Sequence, residues 1–150
     1  MISFDDAMSE ALIEARAALE TGDVPVGAVI VSPAGNIIGR GRNRREADAD
    51  PTAHAEVVAI RQAALALGNW RLDGCALVVT LEPCAMCAGA VLQSRIPRIV
   101  LGAWDAKAGA TGSQWDLVRD ARIGSKVEVV AHVREGECAQ LLSEFFQQRR

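Results

Sequence analysis

No apolar run in this sequence is long enough to cross a bilayer. The longest, Val24–Val31, has eight residues, whereas a spanning helix needs ~20. No basic leader is present either. The first ten residues, MISFDDAMSE, are acidic, which excludes a positively charged export signal and predicts a cytoplasmic protein without a membrane partner. Low-complexity tracts and internal repeats are missing, which excludes disordered linkers and solenoids. Gly109 and Gly112 are not followed by Gly-Lys-Ser/Thr, so they do not form a phosphate-cradling loop. Positive charge is also scarce, with a formal net charge of −3, which on its face argues against a nucleic-acid partner. The charge is unevenly spread. Residues 1–23 hold Asp5, Asp6, Glu10, Glu14, Glu20 and Asp23 against Arg16 alone. The remainder is slightly basic, with clusters at Arg40, Arg42, Arg44 and Arg45 and at Arg149 and Arg150. Each cluster alone reads as a solvated face, so composition permits RNA without suggesting it.

What is present suffices for one domain over residues 1–150. Half of the residues are hydrophobic, enough to bury a core at this length. Residues 4–21 place Phe4, Met8, Leu12, Ala15 and Leu19 at helical spacing between Ser3, a candidate N-cap, and Gly22. VPVGAVIVS and NIIGRGRN read as two strands joined by a turn at residues 33–35. Asp50 and Thr52 are candidate caps for a helix over about 52–67. Strands are expected at 75–81, 98–103 and 126–133, and helices at 83–94 and 137–148. The last helix should turn Leu141, Leu142, Phe145 and Phe146 inward. This order predicts a three-layer α/β/α fold with about five strands in a mixed sheet and helices on both faces. The first two strands form an antiparallel hairpin, and the later ones are largely parallel because helices connect them.

The chemistry concentrates in two short stretches. DPTAHAEVVAI (50–60) puts His54 and Glu56 at the start of an otherwise apolar helix, where neither belongs unless something binds it. TLEPCAMCAGA (80–90) puts Cys84 and Cys87 at i and i+3 in the first turn of another, so both sulfurs can face one point. With no export signal, a Cys-x-x-Cys pair reads as a metal or redox site rather than a disulfide. Cys75 and Cys138 read as small buried hydrophobes. His54, Cys84 and Cys87 are ligands of the kind that suit Zn²⁺. Three protein ligands with an open position describe a catalytic zinc. A closed structural site would need His132, Cys75 or Cys138 as the fourth ligand, and none has finger-like spacing. A redox pair would leave His54 and Glu56 unexplained. In a regular helix, residues two apart point roughly 200° from each other. His54 must therefore sit at the irregular first turn if both are to face the metal. Zinc brings the pKa of a water it holds to about 7, and a carboxylate beside it can take that proton. That use of Glu56 belongs to an enzyme.

His54-Ala-Glu56 with Pro83-Cys84-x-x-Cys87 resembles the signature of the zinc-dependent cytidine/deoxycytidylate deaminase superfamily. VPVGAVIV, DPTAHAE, VTLEPCAMCAGA, SRI, GAWDAKAGA and FFQQRR extend the likeness over nearly the whole chain, and they resemble the bacterial tRNA-specific adenosine deaminases. The resemblance implies one Zn²⁺ per subunit, a homodimer to which helix 83–94 is a candidate contributor, and a tRNA anticodon stem-loop as partner. The reaction implied is hydrolytic deamination of the wobble adenosine to inosine, with Glu56 moving protons to the ring nitrogen and the leaving amine. Val26 and Asn43 match base-binding positions, and the backbone around Pro83–Ala85 would meet the reacting face. Asp105, Lys107, Phe146 and Arg149 match positions near the flanking nucleotides. Read from the residues alone, Asp105 caps a turn equally well, and Phe145 and Phe146 are partly core. Three departures stand out. RIGSKVEV replaces an Asn-His pair, Trp104 replaces a commonly basic residue, and Ala108 stands where Thr is frequent. The alternative is a free-base or nucleoside deaminase acting on guanine, cytosine or cytidine. A zinc-stabilised binding module without turnover is a third possibility.

Overall fold

The computed structural model describes residues 1–123 and 126–149. Gly124 and Ser125, where the Asn-His pair is absent, and Arg150 lie outside the described residues. The chain begins with helix α1, Phe4–Ala17, whose N-terminus is capped by the Ser3 hydroxyl accepting from the Asp6 N–H at 3.0 Å. Ala7, Ala11 and Ala15, with Met8 and Leu12, form its buried stripe. A 3-10 turn, Ala18–Thr21, follows and ends at Gly22. The tighter turn breaks the 3.6-residue period, so Leu19 points outward at 42% exposure instead of continuing the stripe.

Strands β1 (Gly27–Val31) and β2 (Ile37–Arg42) make the expected antiparallel hairpin. Then come α2 (Arg45–Asp48), α3 (Ala55–Leu67), β3 (Ala76–Leu81), α4 (Ala85–Gln93), β4 (Arg98–Ala103), β5 (Glu128–Val130) and α5 (Glu135–Gln147). Among the described residues the strands form one sheet in the order β2-β1-β3-β4-β5. β1 is antiparallel to β3, and β3, β4 and β5 run parallel.

Side chains alternate across this sheet. Val29, Val78 and Val100 pack with Met8, Leu12 and Cys138 of α1 and α5. Ile30, Leu77, Val79 and Leu101 pack on the other face with Ala59 and Val91 of α3 and α4. Each fully buried aliphatic side chain contributes about 1.5–3 kcal/mol, and these two layers fix the helices against the sheet.

The topology determines where a site can form. The parallel strands β3 and β4 end side by side, tied by the Glu82 N–H donating to the Ala103 carbonyl at 2.8 Å. Because β1 is antiparallel to β3, its beginning lies at that same edge. The end of β2 joins it there, through the Asn43 N–H donating to the Val26 carbonyl at 3.1 Å. Four chain segments remote in sequence therefore meet at one end of the sheet, the position where open α/β sheets place their ligands.

Two expectations need correction. The last strand spans 128–130 rather than 126–133, because His132 (φ 67°) and Arg134 (φ 53°) adopt left-handed backbone that ends extended pairing. Phe145 is buried, but Phe146 is 53% exposed, since adjacent helical residues point about 100° apart and cannot both face inward. Asp23, one of the acids of the N-terminal stretch, is 1% exposed. Its carboxylate accepts from the Glu46 and Ala47 N–H groups at 2.7 and 3.2 Å and from the Thr21 hydroxyl at 2.6 Å, so it caps α2 from outside.

Candidate active site

α3 and α4 both begin at the converging edge, and each is capped by a candidate ligand. His54 is the residue preceding α3, with extended backbone at φ −72° and ψ 153°. Cys84 precedes α4 in the same way, at φ −75° and ψ 178°. Both helices start slightly later than the sequence suggested. Asp50 accepts from the Thr52 N–H and hydroxyl at 2.9 and 2.8 Å, holding Pro51–Thr52 in a turn ahead of the helix. His54 is thereby rotated out of helical register, so that it and Glu56, two residues on, line the same cleft.

The height of α3 above the sheet is set by glycine. A Cβ on Gly41 would lie 2.2 Å from the Ala55 carbonyl oxygen, and one on Gly39 would lie 2.3 Å from that of Ala59. These two glycines of β2, facing Ala55, Ala59 and Ala63, let the helix backbone rest directly on the strand.

His54 Nδ1 lies 3.6 Å from Cys84 Sγ and 3.6 Å from Cys87 Sγ. Zinc–nitrogen and zinc–sulfur bonds of about 2.0 and 2.3 Å at the tetrahedral angle put such donors about 3.5 Å apart. The donor set therefore fits Zn²⁺ in both chemistry and spacing. Among the described residues, no fourth His, Cys, Asp or Glu atom joins this group. Cys75 and Cys138 are buried in the core, and His132 pairs with Trp104 and Glu135. The closed structural site is thus without its fourth ligand.

Electrostatically, the three groups behave as a unit. A hydrogen bond from Cys87, with help from His54, pulls the Cys84 thiol down to about 3 against the effect of burial. The same hydrogen bond and burial push Cys87 far above the ordinary thiol range. Hydrogen bonding to Cys84 raises His54. One proton is shared where a divalent cation would hold both sulfurs as thiolates. Glu56 is 4% exposed, and burial pushes its carboxyl up to about 7.

Around these residues opens a cleft of about 580 Å³, within the range of roughly 300–1,000 Å³ for small-molecule pockets. Val26, Asn43, His54, Glu56 and Cys84 line it together with Asp105, Lys107 and Phe146. Asn43 Oδ1 accepts from the Arg45 N–H at 3.2 Å. Asp105 Oδ1 accepts from the N–H groups of Lys107 and Ala108 at 3.0 and 3.2 Å, so Asp105 also caps a turn. Cys87, fully buried behind Cys84, and Pro83, Ala85 and Arg149 are not among the lining residues. Pro83 is buried and its carbonyl accepts from the Ala110 N–H at 2.9 Å, while Ala85 is exposed at the start of α4. The Arg149 guanidinium lies 3.6 Å from the centre of the Phe145 ring, and its Nη2 donates to the Gly22 carbonyl at 3.4 Å.

Glu82, a lining residue that organises the cleft wall, was not anticipated. Glu82, 2% exposed, accepts from the N–H groups of Asp105 (2.9 Å), Thr111 (3.0 Å) and Ser113 (3.1 Å) and shapes the loop after β4. The available signal was an acid at the end of an apolar strand, which must find partners when buried. Trp104, noted only as a departure, forms part of the cleft wall.

Comparison with known proteins agrees with this geometry. The family model "Cytidine and deoxycytidylate deaminase zinc-binding region" matches residues 1–103. The chain is 49% identical to the tRNA-specific adenosine deaminase of Bacillus subtilis (strain 168), over 95% of this chain and 88% of that protein. A structure from studies of A-to-I editing by tRNA:A34 deaminases at the wobble position of transfer RNA is 44% identical. It has a TM-score of 0.87 and covers 91% of this chain and 99% of that one. A guanine deaminase structure from Bacillus subtilis is 39% identical at a TM-score of 0.65, covering 69% of this chain and 66% of that one. The chain belongs to the cytidine and deoxycytidylate deaminase family and, within it, to the family of the tRNA-specific adenosine deaminases.

Proposed function

We propose that this chain, a single domain over residues 1–150, is a tRNA adenosine deaminase. It converts the wobble adenosine, position 34, of an anticodon stem-loop to inosine. The three-donor group with a buried carboxylate outside the ligand set supports the deaminase chemistry, and the observation that supports tRNA as substrate is the 49% identity to a tRNA-specific adenosine deaminase over 95% of the chain. His54, Cys84 and Cys87 would hold one zinc ion per subunit, which supplies Lewis acidity and a water of pKa about 7. Glu56 is the general base and acid. Its carboxyl takes one proton as water adds at C6 and delivers it to the ring nitrogen N1, then takes the second from the new C6 hydroxyl and delivers it to the amine, which leaves as ammonia as the C6–N bond breaks. Burial favours the protonated carboxyl and so helps it take up the proton it later returns.

Val26 packs against the base. Asn43 orients it through its side-chain amide, which is itself held by Oδ1 accepting from the Arg45 N–H. The turn Pro83–Ala85 flanks the reacting face. Asp105, Lys107, Phe146 and Arg149 meet the flanking nucleotides, where splayed bases and phosphates of a single-stranded loop are recognised. We further propose a homodimer through the outer face of α4, where Met86 is 38% exposed, and a cytoplasmic site of action alongside tRNA. No described helix is long and apolar enough to cross a membrane.

The likeness to a guanine deaminase supports one competing reading, turnover of a free base. The two are separated by assaying an anticodon stem-loop beside free guanine, cytosine and cytidine. Inosine in the RNA alone is the expected result. Turnover of free bases alone would overturn the proposal.

A further inference from the structure

One cleft residue has no part in the chemistry proposed above. Trp104 follows β4 and lines the cleft beside Asp105. Its indole is held on two sides. Nε1–H donates to His132 Nε2 at 3.4 Å, and the two rings meet edge to face with centroids 5.9 Å apart. His132 Nδ1 in turn pairs with Glu135. The far edge of the indole crosses Gly112, where a Cβ would come within 3.2 and 3.3 Å of ring carbons Cζ3 and Cη2. Gly112 has φ 145°, a conformation that side-chain-bearing residues rarely adopt, so a bare backbone is secured at this contact.

His132 follows β5, the edge strand beyond β4. The anchoring therefore draws the indole to the β5 side of the cleft. The ring is partly exposed and preoriented. A fixed indole presents a large π-surface at little entropic cost, and any base can stack on it. It carries no charge, so phosphate attraction cannot explain its presence.

We propose that Trp104 is the stacking platform for a nucleobase adjoining the target adenosine. This inference rests on the tRNA reading above. Stacking on an aromatic side chain changes affinity by about five- to a hundredfold per base, and it should appear in KM while kcat stays within a few-fold.

The test uses the full chain carrying Trp70→Phe and Trp115→Phe. Both tryptophans are exposed, and their replacement leaves Trp104 as the sole indole. Stem-loop RNA should quench its fluorescence. An abasic site on one side of the wobble adenosine should remove most of that quenching and raise KM by about five- to a hundredfold. Trp104→Ala should raise KM similarly on intact RNA with no further rise on the abasic RNA, and Trp104→Phe should recover most of the loss. The proposal is overturned if neither abasic position alters the quenching, or if Trp104→Ala leaves KM unchanged while the parent enzyme forms inosine. If the parent forms no inosine in any RNA, the tRNA reading fails and this inference fails with it, an outcome distinguishable from the other two.

Discussion

Replacing Glu82 tests whether the cleft wall after β4 is organised by one buried carboxylate. Oε1 accepts from the Asp105 N–H at 2.9 Å. Oε2 accepts from the N–H groups of Thr111 and Ser113 at 3.0 and 3.1 Å and from the Thr111 hydroxyl at 3.4 Å. Glu82→Ala leaves three backbone donors without this acceptor. Each buried unsatisfied group costs about 1–3 kcal/mol, and entry of water makes the sum sub-additive, so a total of about 3–5 kcal/mol is expected. For a domain of this length that corresponds to a fall in melting temperature of about 10 °C. Glu82→Gln keeps the shape but offers one oxygen, so an NH₂ group faces a backbone N–H on one side of the loop. A loss of about 1–3 kcal/mol follows. Because Asp105, Ala106, Lys107 and Ala108 line the cleft, KM for stem-loop RNA should rise, while zinc content stays at one per chain. Gly109→Ala should reproduce the phenotype, since its Cβ would lie 2.1 Å from Glu82 Oε1. Thermal unfolding, metal analysis and steady-state kinetics read these effects separately. If Glu82→Gln changed neither melting temperature nor KM, the loop would owe its shape to something else.

Gly41→Ala should lift the start of α3 from the sheet, because the new Cβ would meet the Ala55 carbonyl at 2.2 Å. His54 moves with it, so weaker zinc retention against a chelator is expected along with a lower melting temperature. Asp23 gives a pH-dependent effect. Burial raises its pKa, but the Thr21 hydroxyl, the Glu46 and Ala47 N–H groups and Arg44 outweigh burial and leave it below the ordinary carboxylate value. A depressed folded pKa stabilises above the unfolded value of about 3.9, and that stability is lost as pH falls through the folded pKa. Asp23→Asn should therefore melt below the parent at pH 7, and the gap should close below about pH 4. A gap that persisted unchanged at pH 3 would contradict the linkage.

The metal group was legible because it combines rare residues with a geometric constraint. Two residues 200° apart on a helix cannot face one ion, and His54 does lie outside helical geometry. The open sheet was legible from strand and helix alternation, and so was its change from antiparallel to parallel pairing. What escaped were partnerships between distant segments. Glu82 and the loop at 105–113, or Asp23 and α2, are joined by side-chain-to-backbone bonds that leave no periodic trace. Hydrophobic alternation extended the last strand to residue 133, whereas positive φ at His132 and Arg134 ends it.

The central claim is that Glu56 moves protons beside a zinc ion it does not bind. Its most direct test is metal analysis of Glu56→Ala and Cys84→Ala combined with inosine formation in an anticodon stem-loop. Glu56→Ala should retain one zinc per chain and form no detectable inosine, while Cys84→Ala should lose both. Full inosine formation by Glu56→Ala, or loss of its zinc, would contradict the account.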